Sequence, residues 1–350
     1  MTQSVFDFHR LQSQLQAHLE TRFGQPCDLT LLAHGEANLI FRLGADQLVR
    51  VAVNTPNQRF DGDFGRLTQF EQRILTYLKG TEIGHELQAV QIQPADDFAY
   101  TYLITNYLPG RSLDYSASHL QRCAETLAHL HRLPHLGYAI DPLKAELPLV
   151  SQPLSLFYQE SQAYAQPYLT SADAEPEIVS MLQSLLAKTA SRLVAEQDLL
   201  EHPHLCLVHG DHSCENWVIN PQRAYLIDWE WAELGSPAGD LGHFLSPVTI
   251  IRRQGYQLPE SDRIKFLEQY YAALDDPALA EIIRHHFAAF GPFPAVRSLC
   301  WTAGYWVTAN RWYADLSDSE DAARRLQRFQ ESREQFPLLW QAVMDWLEAK

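Results

Sequence analysis

The pattern of apolar and polar positions divides the chain into a β-rich beginning and a longer helical remainder. Within the first 108 residues, short apolar runs separated by turn residues are typical of strands. Apolar residues at helical spacing predict one helix before these runs and one among them, while polar residues 54–66 predict a loop. The predicted strands are 29–32, 39–43, 48–53, 90–93 and 100–107, and the predicted helices are 4–23 and 67–78.

Beyond Pro109 and Gly110 the spacing of apolar residues is mostly helical. An alternating βαβ series, which would predict a doubly wound parallel sheet, is absent. We therefore predict an α+β fold with a β-rich piece at 1–108 and a helical piece at 109–350. The predicted helices are 117–132, 153–166, 175–198, 260–274, 277–288, 296–312 and 320–347, and the exception is a strand-rich island at 205–229.

Composition narrows the class of protein without naming an activity. The chain has 350 residues, enough for two lobes with separate cores, and 46% of them are hydrophobic. Its net charge of −16 disfavours nucleic acid as a partner, because phosphate binding requires a basic surface. No apolar run has the length of a membrane span, and the start resembles no secretory signal. Five scattered cysteines without a C-x-x-C pair are typical of a reduced, cytoplasmic chain, which is the location we expect.

The strand-rich island carries the clearest candidate chemistry. It contains LVHGDHSCENWVIN, with Asp211 and Asn216 five residues apart, and then AYLIDWEWAELGSPAGDL, with Asp228 directly after an apolar run. Any one of these residues alone is most simply a turn or capping residue. Together, two carboxylates and an amide on turns beside strands can bind a divalent cation and orient a hydroxyl group, as phosphoryl transfer requires.

The pattern H-G-D-x-x-x-x-N, followed by I-D-W-E and G-D-L, resembles the aminoglycoside phosphotransferase and choline kinase superfamily. The resemblance implies small-molecule kinase activity and a bilobal, protein-kinase-like fold with a small β-rich lobe and a larger helical lobe. It implies ATP, or GTP, with Mg²⁺ as cofactors. The roles that it implies are Asp211 as catalytic base, His209 as a brace of the catalytic loop, Asn216 and Asp228 as metal ligands, and Asp240 as a structural anchor of that loop.

The N-terminal piece agrees with this resemblance. The run LLAHGEANLIFRL is similar to the family's nucleotide loop, which implies that Gly35, Glu36, Ala37 and Asn38 face the phosphates. The run YLITNYLPGRSL resembles the hinge between lobes, where the backbone of Thr105, Asn106 and Tyr107 would meet an adenine edge. Taken alone, the first segment is better explained as a plain hairpin turn, and the second is about equally well explained as an ordinary edge strand that ends at Pro109.

A charged pair is predicted between the third strand and the inserted helix. Arg50, in LVRVAV, stands where protein kinases carry a lysine. Glu71 lies within the apolar stripe of helix 67–78, and a buried carboxylate needs a partner. We predict an ion pair between Arg50 and Glu71, both of which the resemblance assigns to nucleotide binding.

Three other readings of the sequence compete with a kinase. A structural zinc site is suggested by six histidines and cysteines within thirteen residues, although the usual ligand spacings are missing. A hydrolase is not supported, because G-x-S-x-G is absent. A Walker A motif is absent as well, so ordinary P-loop chemistry is not supported either. The serious alternative is a catalytically silent, kinase-like nucleotide-binding protein, against which the intact Asp211, Asn216 and Asp228 argue. The six residues of the zinc reading are His202, His204, Cys206, His209, His212 and Cys214.

The acceptor site is the least specific part of the prediction. In the family, the helices after the catalytic motifs form the substrate wall, and here they carry the aromatic residues Trp301, Tyr305, Trp306, Trp312 and Tyr313. Trp301 and Tyr305, together with Glu230, could bind a cationic alcohol, although packing is the favoured explanation of the rings. We expect a small hydroxyl-bearing substrate, no nucleic-acid or membrane partner, and a monomer or homodimer.

Overall fold

The computed structural model describes residues 8–34, 37–55, 57–254, 257–313, 327 and 330–349. The chain folds as two compact units, of which the first contains Met1–Arg111, Ala145–Leu147 and Val218–Trp231. The second contains Ser112–Lys144, Pro148–Trp217 and Ala232–Lys350.

The first unit is built on a five-stranded antiparallel sheet in the order β1-β2-β3-β5-β4. Leu11, Leu15 and Leu19 of the first helix pack against one face of the sheet, to which Val49 and Val51 of β3 contribute side chains. Because side chains alternate along a strand, Arg50 projects from the opposite face, where the second helix lies. The elements are α1 (Phe8–Phe23), β1 (Leu29–His34), β2 (Asn38–Leu43), β3 (Gln47–Ala52), α2 (Phe64–Tyr77), β4 (Leu87–Gln91) and β5 (Tyr102–Asn106).

A second pair of strands, β7 (Trp217–Ile219) and β8 (Ala224–Leu226), ties the later segment of the chain to the first unit. The N–H of Leu226 donates to the carbonyl of Ile83 at 2.8 Å. Ile219 and Arg111 exchange two backbone hydrogen bonds of 2.7 and 2.9 Å. These bonds carry Asp228, two residues beyond β8, into the same unit as Arg50.

The second unit is mainly helical and contains one short antiparallel pair, β6 (Cys206–Val208) with β9 (Glu233–Gly235). One of its cores joins α4, α5, α11 and α12 around buried residues such as Leu185, Leu299 and Phe336. Its helices are α3 (Ala117–His131), α4 (Pro153–Leu169), α5 (Pro176–Ser191), α6 (Glu196–Glu201), α7 (Pro237–Phe244), α8 (Pro247–Gln254), α9 (Glu260–Ala273), α10 (Pro277–Phe290), α11 (Phe293–Tyr313) and α12 (Phe336–Glu348).

The α+β class is as predicted, whereas several element boundaries differ. Helix α2 begins at Phe64, inside the predicted loop 54–66, because Asp63 caps it by accepting from the N–H of Arg66 at 3.0 Å. The predicted helix 175–198 is divided into α5 and α6 by a 3₁₀ turn at Leu193–Ala195. Of the predicted helix 320–347, residues 320–326 lie outside the described part, and α12 begins at Phe336. Among the helices of the described residues, none is both long and apolar enough to cross a membrane.

Candidate active site

Arg50 joins two carboxylates in the first unit. Its Nη2 lies 3.0 Å from Glu71 Oε1 on α2 and 2.8 Å from Asp228 Oδ1. The side chains of Arg50 and Glu71 are only 5% and 3% exposed, whereas that of Asp228 is 36% exposed. The predicted Arg50–Glu71 ion pair is confirmed, and Asp228 is a third member that the sequence did not indicate.

Burial and charge oppose each other in this cluster. Burial lowers the pKa of Arg50, but Glu71 and Asp228 outweigh that effect and hold the pKa above its usual value. Burial raises the pKa of Glu71 to about 7, with Arg50 opposing the rise and Asp228 adding to it. The Nη1 atom of Arg50 is buried without a hydrogen-bond partner among the described residues. This orphaned donor is a ready position for an anionic oxygen atom.

Asp228 has a left-handed backbone conformation, with φ of 68°. Outside glycine, aspartate and asparagine are the residues that adopt this region most readily. Asp228 lies two residues after the end of β8, and this backbone conformation places its carboxylate on a sharp turn. Its Oδ1 accepts from Arg50 Nη2, and the side chain as a whole is 36% exposed.

The predicted nucleotide loop is described only in part, because Gly35 and Glu36 lie outside the described residues. The carbonyl of Ala37 accepts from the N–H groups of Val53 and Asn54 at 2.9 and 3.1 Å. Asn38 begins β2 and pairs in register with Ala52. The role of this loop in phosphate binding therefore stays a prediction.

The backbone of the predicted hinge is largely engaged within the first unit. The N–H of Asn106 donates to the Glu86 carbonyl at 3.1 Å, and that of Tyr107 donates to the Asp46 carbonyl at 2.7 Å. These two N–H groups are therefore committed, and a nucleobase would have to be read by other groups of 105–107. The hydroxyl of Thr105 is fully buried and has no hydrogen-bond partner among the described residues.

His85 makes the first unit sensitive to acid. Its Nδ1 donates to the Asn106 carbonyl at 2.9 Å, and burial, reinforced by Arg50, lowers its pKa to about 4. As the pH falls, His85 takes up a proton near pH 6.5 in the unfolded chain but only near pH 4 in the folded chain. Protonation therefore favours the unfolded chain, and the free energy of unfolding falls with falling pH. Between pH 7 and pH 5 this histidine alone is expected to remove about 2 kcal/mol from the free energy of unfolding.

His85→Asn keeps a donor for the Asn106 carbonyl but removes the titrating ring. Denaturant unfolding at pH 7 and pH 5 should show a loss about 2 kcal/mol smaller in this variant than in the wild type. His9→Asn, at an exposed position on α1, is the matched control and should leave the difference unchanged. Equal pH dependence in the wild type and His85→Asn would contradict a neutral, buried His85.

In the second unit, Asp240 anchors the loop that carries Asp211. Its Oδ2 accepts from the N–H of His209 and its Oδ1 from the N–H of Gly210, each at 2.9 Å. His131 Nε2 donates to Oδ2 at 3.1 Å, and the Tyr270 hydroxyl lies 2.8 Å from His131 Nδ1. Asp240 therefore makes the loop contacts that the family resemblance implies, with His131 as a further donor that the sequence did not indicate.

Asp240 is a buried anion held by its neighbours. Burial alone would raise its pKa, but His212 and His131 hold it well below the usual range. His212 Nε2 lies 2.9 Å from Asp240 Oδ1, although the angle is too poor for a hydrogen bond. Burial lowers the pKa of His131, which is consistent with a neutral ring that donates through Nε2.

Asp211 and Asn216 are brought together by one 3₁₀ turn at Cys214–Asn216. The Nδ2 of Asn216 donates to Asp211 Oδ2 at 2.9 Å and to the Asp211 carbonyl at 3.0 Å. Its amide nitrogen is thereby committed, which leaves the amide oxygen as the ligand atom for a hard cation. His209 is fully buried, and its Nδ1 accepts from the Asp211 N–H at 3.3 Å.

A second residue of α7 also contacts this loop. His243 Nδ1 accepts from the N–H of His212 at 3.0 Å, and its Nε2 lies 3.8 Å from Asp211 Oδ1. Sequence analysis did not single out His243. The available signal was its position three residues after Asp240, because residues i and i+3 share one face of a helix.

Helix α7 lies close to the turn before α11, and Gly242 permits the approach. A Cβ at this position would come 2.3 Å from the Gly291 carbonyl oxygen and 3.0 Å from Pro294 Cγ. Gly242→Ala is therefore expected to displace α7 and to lower the free energy of unfolding by about 1–3 kcal/mol. Because α7 carries Asp240 and His243, any catalytic turnover should fall as well.

Gly235→Ala is the matched control for this change, because its added Cβ would make only ordinary contacts with Val208 and Val150. Thermal melting of the two variants should show the larger loss for Gly242→Ala. Equal melting temperatures would contradict the close approach of α7.

The predicted acceptor residues are only partly brought together. Trp301 and Tyr305 stack with ring centroids 4.6 Å apart and an interplanar angle of 16°, which leaves no space for a cation between them. Trp306 is buried against Tyr168 and Phe336, so it belongs to the core. Glu230 is buried in the first unit, where its carbonyl accepts from Asn57 Nδ2 at 3.1 Å. The side chains of Trp312 and Tyr313 lie outside the described residues.

The histidines and cysteines of the zinc reading serve different contacts. His204 Nε2 lies 3.1 Å from the His131 carbonyl, and the Cys206 thiol lies 3.8 Å from the Gly235 carbonyl. His202 is exposed. Across the part of the chain that the structure describes, no three histidine, cysteine or acidic side chains form a group that could hold a metal ion.

Comparison with known proteins identifies relatives for most of the chain. The model of the phosphotransferase enzyme family matches residues 28–282. The mouse protein named acyl-CoA dehydrogenase family member 11 is 28% identical over 170 residues, which cover 46% of this chain. The match covers only 20% of the mouse protein, so this chain corresponds to a small part of that relative.

Solved structures show the same fold at low sequence identity. A choline/ethanolamine kinase family protein from Mesorhizobium loti has a TM-score of 0.56 at 16% identity, covering 95% of this chain and 99% of that one. The streptomycin-ATP-APH(2")-IIa complex has a TM-score of 0.53 at 16% identity, with coverage of 95% and 99%. The bilobal, kinase-like α+β fold is therefore confirmed.

Proposed function

We propose, from the premise that this chain belongs to the phosphotransferase enzyme family, that it is a kinase that transfers the γ-phosphoryl group of ATP to a hydroxyl of a small molecule. The observation that carries the proposal is the pairing of Asp211 with Asn216 on a loop that buried Asp240 anchors through two backbone N–H groups. A carboxylate held in this way can accept a proton from an attacking hydroxyl group.

In the proposed reaction Asp211 orients the acceptor hydroxyl and takes its proton. The hydroxyl oxygen forms a bond to the γ-phosphorus as the bond from that phosphorus to the bridging oxygen breaks, and ADP leaves. Asn216, through its amide oxygen, and Asp228, through its carboxylate, are the oxygen donors that would hold Mg²⁺. When bound, Mg²⁺ would offset the negative charge of the phosphate oxygens.

Nucleotide binding is proposed for residues of the first unit. The buried Nη1 of Arg50, which has no hydrogen-bond partner in the described part of the chain, fits a phosphate oxygen, because a guanidinium donor without a partner is costly to bury. Glu71 holds the guanidinium in place through Nη2. The segment 35–38 and the hinge residues 105–107 stay as the proposed contacts to phosphate and base, and ATP is proposed ahead of GTP.

The acceptor class follows less directly. The stacked pair of Trp301 and Tyr305 is half-buried, so only an outer ring face could meet a substrate. A panel of alcohols should therefore include choline, ethanolamine, aminoglycosides, homoserine and sugars. Hydroxyacyl-CoA thioesters belong in the panel as well, because the mouse relative is named as a member of an acyl-CoA dehydrogenase family.

Release of ADP or GDP across this panel, with MgATP and MgGTP in turn, tests the proposal. We expect acceptor-dependent release with at least one alcohol and faster release with ATP. Tight nucleotide binding with no release for any acceptor would instead support a silent, kinase-like binding protein. Phosphorylated product should be identified by mass spectrometry, since release without product would indicate hydrolysis alone.

Replacing Asp228 by glycine tests its role as metal ligand without straining the backbone, since glycine also adopts a positive φ. We expect MgATP to bind at least about tenfold more weakly, because the variant lacks the anionic ligand. ATP in excess EDTA should bind the variant and the wild type alike. Equal affinity for MgATP in both proteins would remove Asp228 from the proposed metal site.

A further inference from the structure

Two side chains of α7 hold the loop on both sides of Asp211. Asp240 accepts from the N–H groups of His209 and Gly210, directly before the aspartate. His243, one helical turn later, accepts from the N–H of His212, directly after it. Asp211 is therefore the residue between two backbone anchors that come from one helix face.

The bond to His212 fixes where His243 carries its proton. A ring nitrogen that accepts from a backbone N–H bears no hydrogen, so the ring is neutral and protonated on Nε2. An imidazolium would place the Nδ1 hydrogen against the N–H of His212. Burial, the largest influence on this ring, lowers the pKa of His243 to about 3, which agrees with a neutral ring.

The protonated nitrogen is the one that faces Asp211. His243 Nε2 lies 3.8 Å from Asp211 Oδ1, while Asp211 Oδ2 accepts from Asn216 Nδ2 at 2.9 Å. The longer distance exceeds that of a hydrogen bond. Donor contacts at a catalytic base are often long without substrate and tighten when the reacting complex forms.

We propose that His243 is a positioning residue whose Nε2–H directs Asp211 Oδ1 and so fixes the rotation of the carboxylate toward the acceptor hydroxyl. The inference rests on the proposed role of Asp211 as catalytic base. With Asn216 on one oxygen and His243 on the other, the plane of the carboxylate is defined by a donor on each side. A neutral donor suits this task, because a cation at the same place would weaken the basicity of the carboxylate.

Two amide substitutions test the roles of the two nitrogen atoms of the His243 ring separately. The side-chain amide of His243→Asn can replace Nδ1 and accept from His212, but it does not reach the position of Nε2. The longer side chain of His243→Gln can place an N–H near the position of Nε2, but it no longer serves as the acceptor at Nδ1. A role confined to holding the loop is rescued by asparagine, whereas positioning of Asp211 is rescued by glutamine.

The variants should be compared by ADP release from MgATP with water as acceptor and with the best alcohol of the panel. We expect His243→Asn to lower kcat by about 10–100-fold with the KM for ATP nearly unchanged, and His243→Gln to lose clearly less. Thermal melting establishes that both variants are folded. Equal losses, or a smaller loss for asparagine, would overturn the positioning role.

Nitrogen-15 NMR of histidine-labelled wild-type protein gives a test that needs no stable variant at position 243. We expect one ring that is protonated at Nε2 alone at pH 7 and that shifts in Asp211→Asn. Protonation at Nδ1, or of both nitrogen atoms, would overturn the inference. Failure of the proposed function is distinct from these results, because it would show as wild-type protein that releases no ADP with any acceptor.

Discussion

Asparagine in place of Asp211 is expected to lower kcat by about 10²–10⁴-fold while MgATP binds almost as before. The substitution preserves shape, and the new amide oxygen can still accept from Asn216 Nδ2, which lies 2.9 Å from the present carboxylate. The amide cannot take the proton of the acceptor hydroxyl. The loss therefore belongs to the chemical step rather than to nucleotide binding or folding.

Single-turnover kinetics with MgATP and calorimetric titration of the nucleotide would measure these two properties separately. Asp173→Asn, at an exposed position between α4 and α5, is the matched control and should keep wild-type turnover. Asp211→Asn with kcat close to that of the wild type would assign the proton acceptor to another group. A joint loss of turnover and nucleotide binding would instead indicate damage to the fold.

Asp240→Asn is expected to lower the free energy of unfolding by about 3 kcal/mol or more, because it removes a buried anion from several donors. The carboxylate accepts from two backbone N–H groups and from His131, and it is fully buried. An amide offers one acceptor oxygen, and its NH₂ group would face donors that already point at this position. Turnover should fall as well, since the loop that carries Asp211 loses its anchor.

Chemical denaturation at several pH values would measure this effect. The folded chain depresses the pKa of Asp240, so its stabilisation is complete above about pH 4 and is lost as the pH falls through the folded value. The difference in free energy of unfolding between the wild type and Asp240→Asn should therefore become smaller in acid. Asp141→Asn breaks an exposed ion pair with Lys144 and should cost less than about 1 kcal/mol. Equal costs for the two substitutions would contradict the anchoring role.

Periodicity predicted the order of elements well where one face of an element is buried. Helix α1 and the strands around Arg50 follow from apolar residues at regular spacing, since those residues form the core of the first unit. Apolar spacing did not predict helix α7, because Gly239 and Gly242 resemble loop residues, and only the family resemblance implied that a helix starts at Asp240. Gly242 is needed because a side chain at this position would collide with the Gly291 carbonyl oxygen. That close contact is made with a distant residue, so the local sequence does not reveal it.

The candidate site shows the same division between local and distant information. Asp211, Asn216 and Asp240 could be found from motif spacing, and Glu71 from its place in an apolar stripe. The contact of Arg50 with Asp228 could not, because 178 residues separate them along the chain. His131 and His243 escaped notice because a buried histidine has no distinctive neighbours in sequence, and its partners come from other elements.

The left-handed turn at Asp228 also restricts how this position can change over evolutionary time. Most single-nucleotide changes at an aspartate codon give residues whose Cβ is strained at a φ of 68°, so they would lower stability in addition to removing the proposed metal ligand. Asparagine and glycine are the replacements that adopt this positive φ with little backbone strain. A lineage that abandoned phosphoryl transfer would therefore be expected to pass through one of these two residues, and glycine at this turn, which has no oxygen donor, would mark a descendant that keeps the architecture without the proposed metal ligand.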